Sequence, residues 1–317
     1  MPNKLDQLKL LTDVVADTGD IDALRKFTPR DATTNPSLLL KAADLAQYQP
    51  LVEQARQKAQ STDGNRAEKG AAACDHLAVL IGREISQIVP GRVSTEVDAR
   101  LSFHTQATVT RAQQIIDAYQ ELGVSRDRIL IKIASTWEGI EAARQLECEG
   151  INCNLTLLFG FEQAMACAHA GVTLISPFVG RILDWYKANK PDMTYTAAND
   201  PGVASVKRIY NFYKANKFET VVMGASFRSA EQVLALAGCD RLTISPNLLE
   251  ELAANNGVLN EELKEDAAVS QDTNVELSED QFRFAMNDDA MSTEKLAEGI
   301  RKFAADQRLL EDKLLAS

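Results

Sequence analysis

Eight short runs of β-branched and apolar residues recur along this chain, each bounded by Gly, Pro, Asn, Asp or Ser. They are Val14-Val15-Ala16, Ala32-Thr33-Thr34, and residues 92–97, 128–133, 151–157, 173–176, 220–224 and 241–245. Runs of this length and composition read as strands. Helical patterns separate them. Residues 105–122 carry Ala107, Val109, Ala112, Ile115, Ile116 and Tyr119 on one face, with Gly123 as the C-cap. Ser135 stands where it could cap a helix opening at Thr136-Trp137, and residues 161–170 stop at Gly171. Asp200-Pro201 opens a helix to about residue 216, and residues 230–237 stop at Gly238.

Strands alternating with helices imply right-handed βαβ units and a parallel sheet. Eight units predict an α/β fold of the (β/α)8 TIM-barrel type with additional helices. An open doubly wound sheet is the alternative, but no Gly-rich phosphate fingerprint follows the first strand. Residues 37–90 are a long connection with room for two or three helices. The tail holds a polar, acidic stretch at 255–280 and then a helix at about 292–315, read as a docking or partner-contacting element. Residues 1–317 are read as one domain, a size that barrels reach.

The net charge of −11 argues against nucleic acid or an anionic membrane as partner, though it allows a local basic pocket. No stretch approaches the ~18 consecutive apolar residues of a membrane span. Met1-Pro2-Asn3-Lys4 does not begin a secretory signal, so the expected location is cytoplasmic. Five cysteines without a C-x-x-C, and only three histidines, predict buried free thiols and no metal centre. His76, His104 and His169 lie away from the strand ends and read as structural, as do Trp137 and Trp185.

A barrel strand packed on both faces should be almost wholly apolar. Several polar residues break that rule near the C-terminal ends of strands, where barrel enzymes place their chemistry: Asp17, Asn35, Glu96, Lys132, Asn154, Thr156, Ser176 and Ser226. Any one of these could be a satisfied buried hydrogen bond. All of them at equivalent ends of seven strands predict a site. Lys132 is the sharpest, lying between Ile131 and Ile133. Burial and a nearby cation lower an amine's pKa, and a neutral amine attacks a ketone. The resulting Schiff base is an electron sink for carbon–carbon cleavage, and Glu96 and Asp17 offer the carboxylates that such a step needs. The plainer alternative is a structural ion pair. Arg181 and Arg228 follow the sixth and seventh strands, where a terminal phosphate could bind.

The chain resembles the transaldolase family. The likeness is carried by Asp13-Val14-Val15-Ala16-Asp17-Thr18-Gly19-Asp20, Asp31-Ala32-Thr33-Thr34-Asn35-Pro36-Ser37, and the stretches 90–100, 129–136, 150–159, 175–181 and 222–228. The resemblance implies a cofactor-free transferase of the pentose phosphate pathway. It would move a dihydroxyacetone unit from sedoheptulose 7-phosphate or fructose 6-phosphate to glyceraldehyde 3-phosphate or erythrose 4-phosphate. Lys132 matches the Schiff-base lysine, Asp17 and Glu96 the acid/base pair, and Thr156 a residue holding the catalytic water. Asn35, Asn154 and Ser176 match the dihydroxyacetone site, which Thr33 would join. Arg181, Ser226 and Arg228 match the phosphate site, and Phe178 matches the pocket wall. The implied partners are phosphorylated sugars and a second copy in a homodimer. Gly160 departs from the serine common in similar sequences. Two other readings stay open: an aldolase that releases the three-carbon unit, and a silent sugar-phosphate-binding barrel.

Overall fold

The computed structural model describes residues 2–316. Its eight strands are β1 Asp13–Asp17, β2 Asp31–Thr33, β3 Val93–Glu96, β4 Ile129–Ala134, β5 Cys153–Leu158, β6 Leu174–Pro177, β7 Val221–Gly224 and β8 Arg241–Ile244. Each pairs in parallel with its chain neighbours, and β8 closes on β1 through Asp13↔Arg241 to Ala16↔Ile244. The result is the (β/α)8 barrel that the alternation predicts. The long connection holds three helices, Pro36–Ala42, Gln49–Ser61 and Arg66–Ser86, besides a short 3-10 turn.

Besides an apolar cluster under the tail helix, two apolar cores follow from the strand period of two. One lies between sheet and helices. The other lies inside the barrel, where Val15, Leu130, Leu174 and Met223 form a separate cluster. Side chains from β1, β4, β6 and β7 can meet only across the barrel axis, so these four point inward. Positions two residues on, toward the C-terminal ends, are therefore inward as well: Asp17, Lys132 and Ser176 stand above the apolar layer. On the opposite side stand Asp31 and Arg241, ion-paired at the N-terminal ends of β2 and β8.

Local signals mostly hold. Asp200 accepts from the Gly202 and Val203 N–H groups at the start of helix Pro201–Ala215. Gly123 and Gly171 both have positive φ, the left-handed backbone that ends a helix, whereas Gly238, also at positive φ, lies beyond the end of its helix. Three expectations are corrected. The cap of helix Trp137–Cys148 is Thr136, whose hydroxyl accepts from Gly139 N, while Ser135 donates to the Thr156 carbonyl at 2.8 Å. The next-to-last barrel helix stops early, at Leu234. Cys148 is exposed, although the other four free cysteines are buried.

The tail helix spans Ala290–Leu315 and docks on its own barrel, across the C-terminal mouth. Ser37 donates to Asp306 and Arg100 pairs with Glu311, while Trp185 Nε1 donates to Glu294 at 2.6 Å. Gly299 allows a close approach: a Cβ there would stand 2.7 Å from Leu157 Cδ2, near the end of β5. The expected departure at Gly160 has a similar setting, since a Cβ there would lie 2.9 Å from Ser292 Oγ.

Candidate active site

The register of β3 and β4 sets Glu96 beside Lys132. Both are buried, and Lys132 Nζ lies 3.3 Å from Glu96 Oε2. That is ion-pair distance, yet Oε2 accepts no well-formed hydrogen bond. The amine donates instead to the Thr34 carbonyl at 3.2 Å. The expected cationic neighbour is thus replaced, at contact distance, by an anion. Burial raises the Glu96 pKa above the usual carboxylate value; the Lys132 charge opposes this without cancelling it. Thr156, opposite Ala134 across β4–β5, also has a buried hydroxyl with no partner among the described residues. Leu157 next to it has φ +52°, where the β5–β6 register shifts. This local irregularity leaves Thr156 facing the barrel while Leu157 packs under the tail helix.

The other side of the barrel is better satisfied. Thr33 donates to Asp17 Oδ1 at 3.0 Å and shares a 2.9 Å hydrogen bond with Thr243. Ser176 donates to Asn154 Oδ1 at 2.6 Å, and Asn154 Nδ2 donates to Ser94 Oγ at 3.0 Å. Asn35 caps helix Pro36–Ala42 by accepting from Leu38 N at 3.0 Å, which commits its oxygen and leaves its amide nitrogen for a ligand.

Past this polar floor the mouth becomes cationic. Arg181 is half-buried between the Phe178 ring, 4.9 Å away, and the Phe303 ring, 5.5 Å away. Burial, then the nearby Arg228 charge, lower the Arg181 pKa from its usual value. Ser226 has φ +60°, a left-handed backbone that costs a non-glycine residue roughly 1–2 kcal/mol. It is held there by the loop: Gly180 N donates to the Ser226 carbonyl at 2.6 Å and Val179 N to the Ala225 carbonyl at 2.8 Å.

One cavity of about 300 Å³ gathers these groups, enough for a sugar phosphate. Asp17, Thr33, Asn35, Lys132, Thr156, Ser176, Phe178, Arg181, Ser226 and Arg228 all line it. Glu96 and Asn154 do not; they lie behind the wall, touching Lys132 and Ser176. Sequence reasoning missed Thr243, Ser245, Lys302 and Phe303, which also line it. Thr243 breaks the apolar run of β8 just as Lys132 breaks that of β4, so the same rule could have found it. Lys302 and Phe303 carry no such mark, because their helix enters the site only by tertiary docking. Among the described residues, no helix is long and apolar enough to cross a membrane. Among them, too, no group of three or more His, Cys, Asp or Glu is placed to hold a metal ion.

Fold and cavity together give an α/β barrel with a candidate site at the C-terminal ends of the strands. The model of the transaldolase/fructose-6-phosphate aldolase family matches residues 14–314, and the chain belongs to that family. The transaldolase of Marinobacter nauticus is 60% identical over 314 residues, covering 99% of this chain and 98% of that protein. The transaldolase of Methylobacillus flagellatus is 59% identical, with 99% of both chains covered. That of Vibrio cholerae is 57% identical over 316 residues, covering 100% of this chain and 99% of its own.

Proposed function

We propose that the chain is a transaldolase that transfers a dihydroxyacetone unit between phosphorylated sugars through a Schiff base on Lys132. The observation that carries this reading is a buried amine, open to a polar cavity, beside a carboxylate whose oxygen has no hydrogen bond of its own. A satisfied structural ion pair would look different.

Lys132 Nζ adds to the C2 ketone of sedoheptulose 7-phosphate or fructose 6-phosphate. Glu96, which keeps its proton to higher pH than an ordinary carboxyl, protonates the departing hydroxyl, and water leaves as the iminium forms. Thr156 and Glu96 hold that water with their unpartnered oxygens. Asp17 takes the proton of the C4 hydroxyl. The C3–C4 bond breaks, its electron pair passes toward the iminium, and C4 departs as an aldehyde. The enamine left on Lys132 attacks the aldehyde carbon of glyceraldehyde 3-phosphate or erythrose 4-phosphate, and Asp17 returns the proton. Addition of water then releases the product ketose and the amine. The sequence balances without an added oxidant, reductant or cofactor.

Asn35 and Ser176 line the cavity near this end, and Asn154 and Thr33 fix their neighbours, which suits binding of the dihydroxyacetone hydroxyls. Arg181, Ser226 and Arg228 suit the phosphate. Phe178 gives an apolar wall that discourages water from trapping the enamine, which favours transfer over release of dihydroxyacetone. The family resemblance extends the proposal to a homodimer acting in the cytoplasmic pentose phosphate pathway. Borohydride reduction with fructose 6-phosphate, followed by mass spectrometry, tests the covalent step. An adduct on the Lys132 peptide is expected; its absence sinks the mechanism. Release of free dihydroxyacetone as fast as transfer to an added acceptor would overturn the preference for transfer.

A further inference from the structure

Arg228 is exposed, and a long side chain in solvent must be ordered each time it meets an anion. Here it is already ordered. Its Nη2 donates to Asp184 Oδ2 at 2.7 Å, and its Nε lies 3.3 Å from Oδ1 and 3.2 Å from Oδ2. The carboxylate therefore occupies the side edge of the guanidinium. The Nη1 end remains, 3.5 Å from Ser226 Oγ, and both residues line the same cavity. Asp184 lies one turn along helix Gly180–Asn189 from Gly180, so both share a face. Gly180 makes the arrangement possible, because a Cβ there would stand 2.7 Å from Arg228 Cγ and 3.1 Å from Nη1. One helix thus supplies room for the arginine, an anchor for its far edge, and Arg181 beside it.

We infer that Asp184 is a positioning residue for the phosphate end of the cavity: it holds Arg228 so that Nη1 and the Ser226 hydroxyl meet a phosphoryl oxygen together. This rests on the phosphate reading of Arg228 given above. A carboxylate near a phosphate also repels it. Asp184, however, is partly exposed and lies across the guanidinium from the cavity, where solvent and salt screen the repulsion. Preorganisation is the larger effect.

The test compares the parent with Asp184→Ala, Asp184→Glu, Arg228→Ala and the Asp184→Ala/Arg228→Ala double variant. KM and kcat for fructose 6-phosphate and competitive inhibition by inorganic phosphate are measured for each. Asp184→Ala should raise KM and the phosphate inhibition constant by about three- to tenfold, with kcat changed much less. Asp184→Glu should restore most of the loss. In the Arg228→Ala background the Asp184 substitution should do nothing further. A fall or no change in KM for Asp184→Ala, or a full additional loss in the double variant, overturns the proposal while leaving the phosphate reading intact. If Arg228→Ala itself changes neither KM nor phosphate inhibition, the phosphate reading fails and this proposal falls with it.

Discussion

Charged groups lie on both sides of the barrel's apolar layer, the lower set reaching the exposed rim at Asp13 and Arg30, and the two sets differ in how far their hydrogen bonds are satisfied. At the N-terminal end, Asp31 accepts from Arg92 N at 2.8 Å and pairs with Arg241, which also lies 3.8 Å from Asp13; Asp13 in turn meets Arg30 at 3.1 Å. At the C-terminal end, Lys132 and Glu96 are as close as an ion pair, but Glu96 Oε2 and Thr156 Oγ1 lack hydrogen bonds. Between them lie Val15, Leu130, Leu174 and Met223. Desolvated polar groups are costly unless satisfied. The lower layer meets that cost within the fold, and the upper one leaves bonding capacity for a ligand. Even the buried Asp31–Arg241 pair is saturated where the Lys132–Glu96 pair is not, so saturation separates the lower cluster from the candidate site.

The contrast is broken most severely by Lys132→Ala. Activity should fall by at least about 10³-fold, since no other group supplies the electron sink. Stability should change far less, because the orphaned Glu96 already tends to keep its proton. Steady-state assay and thermal melting on the same sample decide it. A large loss of melting temperature would assign Lys132 a structural role. The mirror experiment is Asp31→Ala. Removing one partner of a buried pair costs about 3–5 kcal/mol, and it strands Arg241 inside the barrel. Urea unfolding should show that loss, while kcat of the folded fraction stays within a few-fold of the parent. A silent substitution would mean that the lower layer is as unsatisfied as the upper one.

The pH dependence of stability sharpens the comparison. Burial raises the folded-state pKa of Glu96, so the folded protein binds this proton more tightly than the unfolded chain does. Its stabilising contribution is complete below the unfolded value of about 4.3 and is lost as pH rises through the raised folded value. The melting temperature of the parent, measured relative to Glu96→Gln, should therefore decline as pH rises from about 4.3 toward the raised folded value and level off beyond it. A relative increase would show that Lys132 attraction outweighs desolvation.

Much of this layering was readable in the chain, because strand alternation is a local property. Lys132 between two isoleucines, or Glu96 between Thr95 and Val97, announces an inward polar residue without any tertiary information. Burial on both faces of a barrel strand makes such exceptions costly, and so informative. Two kinds of feature were not readable. Phe303 and Lys302 reach the cavity because a helix more than a hundred residues beyond β5 docks against it, through Gly299 under Leu157. Partner choice was hidden as well. Thr33 bonds to Asp17, and Asn154 bridges Ser94 and Ser176, although the sequence places all of them on polar strand faces alike. Nor does the sequence distinguish Ser135 from Thr136 as a helix cap, since either hydroxyl fits and the neighbouring β5 carbonyl decides.

The smallest expected effect isolates saturation from everything else, because it uses one chemical change at two buried threonines. Thr156 is fully buried with an unpartnered hydroxyl in the upper layer. Thr220, just before β7 at the lower end, is also buried, and it donates to the Val172 carbonyl at 2.8 Å. Replacement by valine keeps the shape and removes the hydroxyl in both cases. Thr220→Val should lose about 1 kcal/mol or slightly more, from a buried carbonyl that loses its donor. Thr156→Val should leave stability within about 0.5 kcal/mol of the parent, since no protein group loses a partner. It should nonetheless lower kcat by about tenfold or more, if its hydroxyl helps hold the water that forms and breaks the iminium. Equal stability losses at the two sites would show that Thr156 is satisfied inside the fold after all, and the distinction between the two layers would then rest on Glu96 alone.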